Sequence, residues 1–169
     1  MVEAHAGNWR RMTTADLVGV ERIGDLVHPT YPEDATVIAG RLQLYPAGCL
    51  VLECESVTQG YAVSHPWLFG RPPPLNTQLK DLPARPDTFY IHDVALMPEL
   101  RRSRLGTTVV RLLVQQAKLD GFDNMSLVAI GRSLNFWRKN GFEAIEREGI
   151  RAALSSYGEE ATFMARSLL

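Results

Sequence analysis

The chain has 169 residues, 46% of them hydrophobic, with 18 Lys and Arg against 19 Asp and Glu for a formal net charge of -1. That length supports one sizeable core and is short for two, so a single domain spanning residues 1–169 is expected. The balance of charge argues against a basic nucleic-acid surface or an acidic tail, and no apolar run reaches membrane-span length. The opening stretch MVEAHAGNWRRM lacks the apolar core of a signal peptide, and Cys49 and Cys54 carry no CxxC or His-bearing metal pattern. Both thiols therefore read as packing residues in a reducing, cytoplasmic compartment.

NWRRM is a short strand. Thr13 and Thr14 then offer N-caps, and Leu17, Val20 and Ile23 recur at helical spacing, which predicts an amphipathic helix ending before His28-Pro29. After a proline-punctuated loop, a second helix is expected from about Asp34 to Leu44, stopped by Pro46 and Gly48. CLVLECE and GYAVSHPW are apolar runs separated by SVTQG, the pattern of an antiparallel hairpin. From Pro66 to Pro86 the chain is proline-rich and without periodicity, long for a loop in a compact domain and of a kind that forms a functional lid or a disordered segment.

DTFYIHDVALM is the most strand-like segment, aromatic and β-branched, and belongs in the middle of a sheet. GTTVVRLLVQQAKLDGF reads as a helix with Val109, Val110, Leu112, Leu113 and Ala117 on one apolar face and Gly121 closing it. NMSLVAI is a strand joined to the central one by a right-handed parallel crossover. SLNFWRKN is a short helix capped by Ser133 and ended by Gly141, and GFEAIEREG and ATFMARSL are two closing strands. The fold class is therefore α/β (α+β), a mixed central sheet of about six to seven strands with helices on both faces.

Three arginines in four residues stand between the central strand and the long helix, in MPELRRSRLG. The first amides of a helix lack intrahelical acceptors and carry the positive end of its dipole, so a phosphate can bind there. Arg101, Arg102 and Arg104 would add charge-assisted hydrogen bonds, and Gly106 would let backbone come close to a ligand. A solvated basic loop accounts for the same residues equally well. Nucleic-acid binding through RRSR fares worse, because the overall charge is slightly negative and no aromatic platform adjoins it.

VALMPELRRSRLGTTVVRLL resembles the acetyl-CoA-binding core of the GCN5-related N-acetyltransferases (GNAT), whose motif Arg/Gln-x-x-Gly-x-Gly/Ala joins a strand to a helix. Arg101 fills its first place and Gly106 its last, while Arg104 replaces the middle glycine. SLNFWRKNGF supplies a second, independent match through Asn135, Trp137, Gly141 and Phe142. The strand YIHDVALMPELR is similar to that of arylalkylamine (serotonin) N-acetyltransferases, with Tyr90 in place of their first histidine and His92 in place of their second. Trp137 stands where that subfamily carries a tyrosine acid.

The resemblance implies a GNAT fold and direct transfer from acetyl-CoA to a primary amine, small and of aromatic character, without a metal. It implies that Val94, Ala95 and Leu96, beside a bulge that splays the strand, hold the pantetheine arm, with the Leu96 amide polarising the thioester carbonyl. By the same carry-over Arg101, Arg102, Ser103, Arg104, Leu105, Gly106 and Thr107 hold the diphosphate, and Asn135 and Trp137 meet the other side of coenzyme A. The acceptor pocket would involve Tyr31, Trp67, Tyr90 and Tyr157. His92 is the implied base, direct or through a water, since an amine is mostly ammonium at neutral pH and cannot attack until a proton leaves.

In a strand of period two, Tyr90, His92, Val94 and Leu96 share one face and Phe89, Ile91, Asp93 and Ala95 the other, which keeps His92 and Asp93 apart. Asp93 is then expected to hold backbone or an arginine. Glu33 and Asp34 either attract a cation to the mouth or simply start a solvated helix. Non-catalytic acyl-CoA binding, and acetylation of a protein lysine or N-terminus, stay open. No nucleic acid or membrane is expected as a partner, and the resemblance leaves room for a homodimer.

Overall fold

A computed structural model describes residues 7–169, so residues 1–6 of the stretch read as lacking a signal peptide lie outside it. Seven strands form one sheet: β1 (Asn8–Arg11), β2 (Cys49–Cys54), β3 (Val57–Trp67), β4 (Thr88–Leu96), β5 (Asn124–Ala129), β6 (Glu143–Ala144) and β7 (Thr162–Ser167). Their spatial order is β1-β2-β3-β4-β5-β7-β6. Among the described residues only β4 and β5 run parallel, and α3 (Leu105–Leu119) joins them.

The predicted helical stripes are the buried ones. Val20 and Ile23 of α1 (Leu17–Val27) and Leu42 of α2 (Ala35–Leu44) pack on Val51, Tyr61, Val63 and Ala95 on one face of the sheet. Val109, Val110, Leu113 and Ala117 of α3 pack on Phe89, Ile91, Met125 and Leu127 on the other, with Trp137 of α4 (Leu134–Lys139). Each large aliphatic side chain so buried stabilises the fold by about 1.5–3 kcal/mol. Arg10 ties the edge strand to the start of α1 by a bidentate pair with Asp16 at 2.8 and 2.9 Å. The Arg10 guanidinium holds the Asp16 carboxyl down at about 2.

The β2–β3 connection is tighter than SVTQG suggested. The turn is Glu55-Ser56, both with positive φ (50° and 64°), and β3 already begins at Val57. A one-residue slip between Leu52/Glu53 and Gly60/Thr58 absorbs Gln59 as a bulge. The stretch GFEAIEREG contributes only a two-residue strand. Gly149, with φ 86°, then starts a short helix α5 (Ile150–Ala153), whose Ile150 packs with Leu154, Tyr157 and Phe163. Spacing of three to four residues between Ile150, Leu154 and Tyr157 is the helical signal that the strand reading passed over.

The proline-rich segment begins later than expected, since Pro66 and Trp67 still pair with Phe89 and Thr88 in β3. Pro66 lies beyond the end of the β2 ladder at Val63, where a missing N–H costs no second partner. From Leu68 to Asp87 the chain has no regular structure but is anchored as a strap. Pro73 O accepts from Tyr157 Oη, Leu75 N donates to Ser156 Oγ, Asn76 N donates to Glu33 Oε2 and Thr77 O accepts from Arg41 Nη1. Both cysteines are free thiols, and burial pushes Cys49 up to about 12, which suits a packing role. No helix among the described residues is long and apolar enough to cross a membrane.

Candidate active site

β4 carries an irregularity that decides the chemistry. Val63 pairs with Asp93 but Ser64 pairs with Ile91, so His92 is the extra residue of a bulge. The bulge breaks the period of two. Phe89, Ile91 and Val94 pack on the α3 face, whereas Ala95, opposite Tyr61, packs on the α1 and α2 face. His92 and Asp93 consequently both project toward α1 and α2, which corrects the expectation that they point apart.

Each finds a partner there from a different segment. His92 Nε2 lies 2.8 Å from Glu33 Oε1, in the loop before α2. His28 Nε2, at the end of α1, lies 2.8 Å from Asp93 Oδ1, and Tyr61 Oη donates to Asp93 Oδ2 at 2.5 Å. Asp93 therefore holds a histidine and a tyrosine, not backbone or an arginine. Burial alone would raise the Asp93 pKa, but the charge and hydrogen bond of His28, together with His92 and the Tyr61 hydroxyl, outweigh it and the net shift is downward. His28 shows the mirror image: burial works to lower its pKa, and Asp93 raises it overall. Glu33 is likewise opposed by burial, yet its bonds to His92 and the Asn76 amide bring it below its ordinary value. An ionised Glu33 can only accept, so Nε2 of His92 carries the proton and Nδ1 holds a free lone pair. That Nδ1 is buried and has no hydrogen-bond partner among the described residues.

The α3 side of β4 is open by contrast. β4 pairs with β5 only from Phe89 to Ile91, so its edge from His92 to Leu96 has no ladder there. Met97 N donates to Gln59 O on the β3 side, and alternation along the strand turns the Val94 and Leu96 amides away from β3. Arg101, Arg102, Ser103 and Arg104 are exposed, and Arg104 is the N-cap of α3 with no cap from its own side chain, while Ser103 Oγ accepts from the Leu105 amide at 3.3 Å. Leu105 and Thr107 flank Gly106, where a Cβ would come within 3.1 Å of the Phe136 ring. Asn135 is exposed, but Trp137 is only 7% exposed and packs edge-on between Phe136 and Phe142. The aromatic beside the start of α3 is thus Phe136, which the motif comparison missed because it sits between the two matched positions. Trp137, expected against coenzyme A, is a core residue.

The four residues expected around the acceptor do not converge on one cavity. Tyr31 lines a cleft of about 40 Å³ with His28, Glu33, Tyr61 and Asp93, room for water-sized groups only. Tyr90 and Tyr157 are buried beneath the strap, and Trp67 closes the end of β3, its Nε1 donating to Arg71 O. Glu33, His28 and Asp93 were not recognised as site partners, since nothing local in the sequence marks a bulge at His92. Among the described residues no His, Cys, Asp and Glu side chains group as a metal site.

The model of the acetyltransferase (GNAT) family matches residues 20–142. No curated protein sequence matches. Among solved structures, Ard1 from Thermoplasma volcanium superposes with a TM-score of 0.73 at 17% identity, over 97% of this chain and 99% of its own. The GphF GNAT-like decarboxylase in complex with isobutyryl-CoA gives 0.79 at 15% identity, over 96% and 100%. PaiA N-acetyltransferase from Thermoplasma acidophilum, in complex with coenzyme A, gives 0.67 at 13% identity, over 96% and 99%. At such identities the structures share the fold with this chain, and two of them hold coenzyme A or its thioester. With most of its length matched by the family and its parallel pair splayed after Ile91, this chain belongs to the GNAT acetyltransferases.

Proposed function

We propose that the chain transfers an acetyl group from acetyl-CoA to a primary amine, with His92 as the base. The observation that carries this reading is the bulge at His92, which turns the imidazole to one face of β4 and leaves Val94 to Leu96 unpaired toward β5. The diphosphate is assigned to the exposed arginines 101, 102 and 104 with the amides of Gly106 and Thr107, where charge and helix dipole both favour an anion. The Leu96 amide faces the gap in which the thioester carbonyl would gain charge. Glu33 fixes the tautomer of His92, so Nδ1 takes the proton of the ammonium, directly or through a water, and frees the nitrogen lone pair. The new N–C bond forms as the C–S bond breaks, and the thiolate takes up a proton in turn.

In this reading residues 1–169 act as one cytoplasmic domain on a small amine. Likeness of the central strand to arylalkylamine N-acetyltransferases supports an aromatic acceptor, and the resemblance to the family leaves room for a homodimer. A second reading, acyl-CoA binding without transfer, draws on the burial of His92, whose side chain is 2% exposed. Free-thiol release from acetyl-CoA, measured across arylalkylamines, polyamines, amino acids and peptide N-termini, separates the two. Turnover with any of them supports transfer, and coenzyme A binding without turnover across the panel leaves only the binder.

A further inference from the structure

Behind the bulge lies a group that the proposed transfer does not use. Arg41, on the inner face of α2, is 1% exposed, and no carboxylate among the described residues ion-pairs with it. Its Nη1 donates to Thr77 O at 3.0 Å and to Val37 O at 3.4 Å. Its Nε and Nη2 have no partner among the described residues. These two nitrogens form one edge of the guanidinium, with parallel N–H bonds at the spacing of a carboxylate's two oxygens. Arginine keeps its charge under all ordinary conditions, so such an edge in the interior calls for an anion.

The nearby carboxylates are already engaged. Glu33 accepts from His92 and from the Asn76 amide, and Asp93 is taken by His28 and Tyr61. Two further buried atoms close by lack partners, and both are acceptors. His65, fully buried, bonds the Pro66 carbonyl through Nδ1 at 2.9 Å, so that nitrogen carries the proton and Nε2 holds a lone pair. His65 pairs with Tyr90 across the β3–β4 ladder and so lies diagonal to His92 on the same face, while Arg41 bonds Thr77, next to the Asn76 whose amide bonds Glu33, the partner of His92. The second acceptor is Nδ1 of His92 itself. The unmatched set is therefore two parallel donors and two lone pairs. A carboxylate satisfies the first and an amine the second.

We infer that Arg41, His65 and His92 together bind an amino acid as the acetyl acceptor, its carboxylate on the free edge of Arg41 and its amine between His65 Nε2 and His92 Nδ1. This rests on the transfer reading and narrows its acceptor from any primary amine to one bearing a carboxylate. The strap roofs the site through Pro73, Asn76 and Thr77, so the acceptor enters as the strap lifts. The α1 and α2 face lies across the sheet from α3, which assigns the carboxylate to the acceptor and not to the acyl chain.

Two matched pairs of probes test this: L-phenylalanine against 2-phenylethylamine, and 4-aminobutyrate against propylamine. With coenzyme A present, at least one acid is expected to raise the Tm of the wild-type protein while its carboxylate-free partner does not. Arg41→Met is expected to abolish that shift, and Arg41→Lys, which keeps the charge and loses the fork, to weaken it. With acetyl-CoA, kcat/KM is expected to favour the acid by about 100-fold in the wild type and to lose that preference in Arg41→Met. Replacing a buried unpaired cation by an apolar side chain should leave stability unchanged or raised, so a folded Arg41→Met is expected. Should it not fold, the Arg41→Lys arm decides. Failure of both acids to stabilise the wild type, or a preference indifferent to residue 41, overturns the proposal. So does an Arg41-dependent preference for malonyl-CoA over acetyl-CoA, which would put the carboxylate on the acyl chain. Efficient acetylation of the carboxylate-free amines would remove the carboxylate site and leave transfer standing. Arg41-dependent binding of the acids with no acetylation would remove transfer and leave the site.

Discussion

On the α3 side of β4, the groups assigned to the cosubstrate lie close together in sequence, between Val94 and Thr107, and the charged ones, Arg101, Arg102 and Arg104, are exposed. On the α1 and α2 side, the polar groups are buried or partly buried and come from distant positions: His28, Glu33, Arg41, His65, His92, Asp93 and Tyr157. The difference follows from solvation. An exposed arginine beside a helix start keeps its charge at little cost, and its neighbours need only be near in the chain. A buried histidine, arginine or carboxylate has to find its partner in the fold, because leaving it unpaired costs several kcal/mol. The bulge at His92 couples the two sides. One extra residue opens the β5 edge for backbone contacts and rotates two side chains into the buried cluster.

Removing the imidazole gives the sharpest separation. His92→Ala is expected to lower kcat by about 100-fold to 10,000-fold, with the Kd for coenzyme A unchanged by calorimetry. A matching loss of coenzyme A affinity would show that the two sides are not independent. Glu33→Gln should act in the same direction more weakly and shift the pH–rate profile, because it removes the anion that fixes the tautomer of His92.

The converse experiment touches only the open side. Arg101→Ala and Arg104→Ala are each expected to weaken coenzyme A binding by roughly 10-fold or more, more so at low salt. Gly106→Val should weaken it too, since its side chain must displace the Phe136 ring 3.1 Å from the Cβ position. None of the three should change the pH profile of the bound enzyme.

The buried side should also be visible in stability. His65 is fully buried, and burial depresses its pKa to about 3, against an ordinary 6.5. Between those values the unfolded chain binds a proton that the folded chain refuses, so stability falls as pH drops below 6.5. His28, raised by Asp93, acts in the other direction: its contribution is complete below 6.5 and fades as pH rises through its folded value. Urea midpoints at pH about 7, 6 and 5 should show a loss approaching 1.4 kcal/mol per pH unit below about 6. His65→Gln should flatten that slope, and an equal slope in the variant would remove His65 as its source.

The smallest effect is expected far from both sides. At the β2–β3 turn, Glu55→Asn with Ser56→Gly places residues suited to positive φ and should stabilise the fold by about 0.5–1 kcal/mol in urea, with coenzyme A binding unaltered.

How legible each part was follows the same division. The stripes of α1 and α3, the β2–β3 hairpin and the central strand were all visible as period, because each buries one continuous face. The arginine loop was visible as local composition next to a helix start. The packing of Trp137 against Phe142 was not legible, because a motif gives residue order and not which side of a short helix meets the core. Asp93 was misplaced because strict alternation fails at a bulge, and the strand HDVAL carries no glycine to mark one.

The sequence alone therefore determined the family, the helix and strand set, and the charged helix start, all of which depend on residues close together in the chain. Only the tertiary structure decided that His92 leans on Glu33, Asp93 on His28, and that Arg41 lies buried with one edge of its guanidinium unmatched. Those outcomes depend on a one-residue slip between β3 and β4 and on a strap closing over distant segments. A buried charge is satisfied by whatever the fold brings to it, and that is not written in its neighbours along the chain.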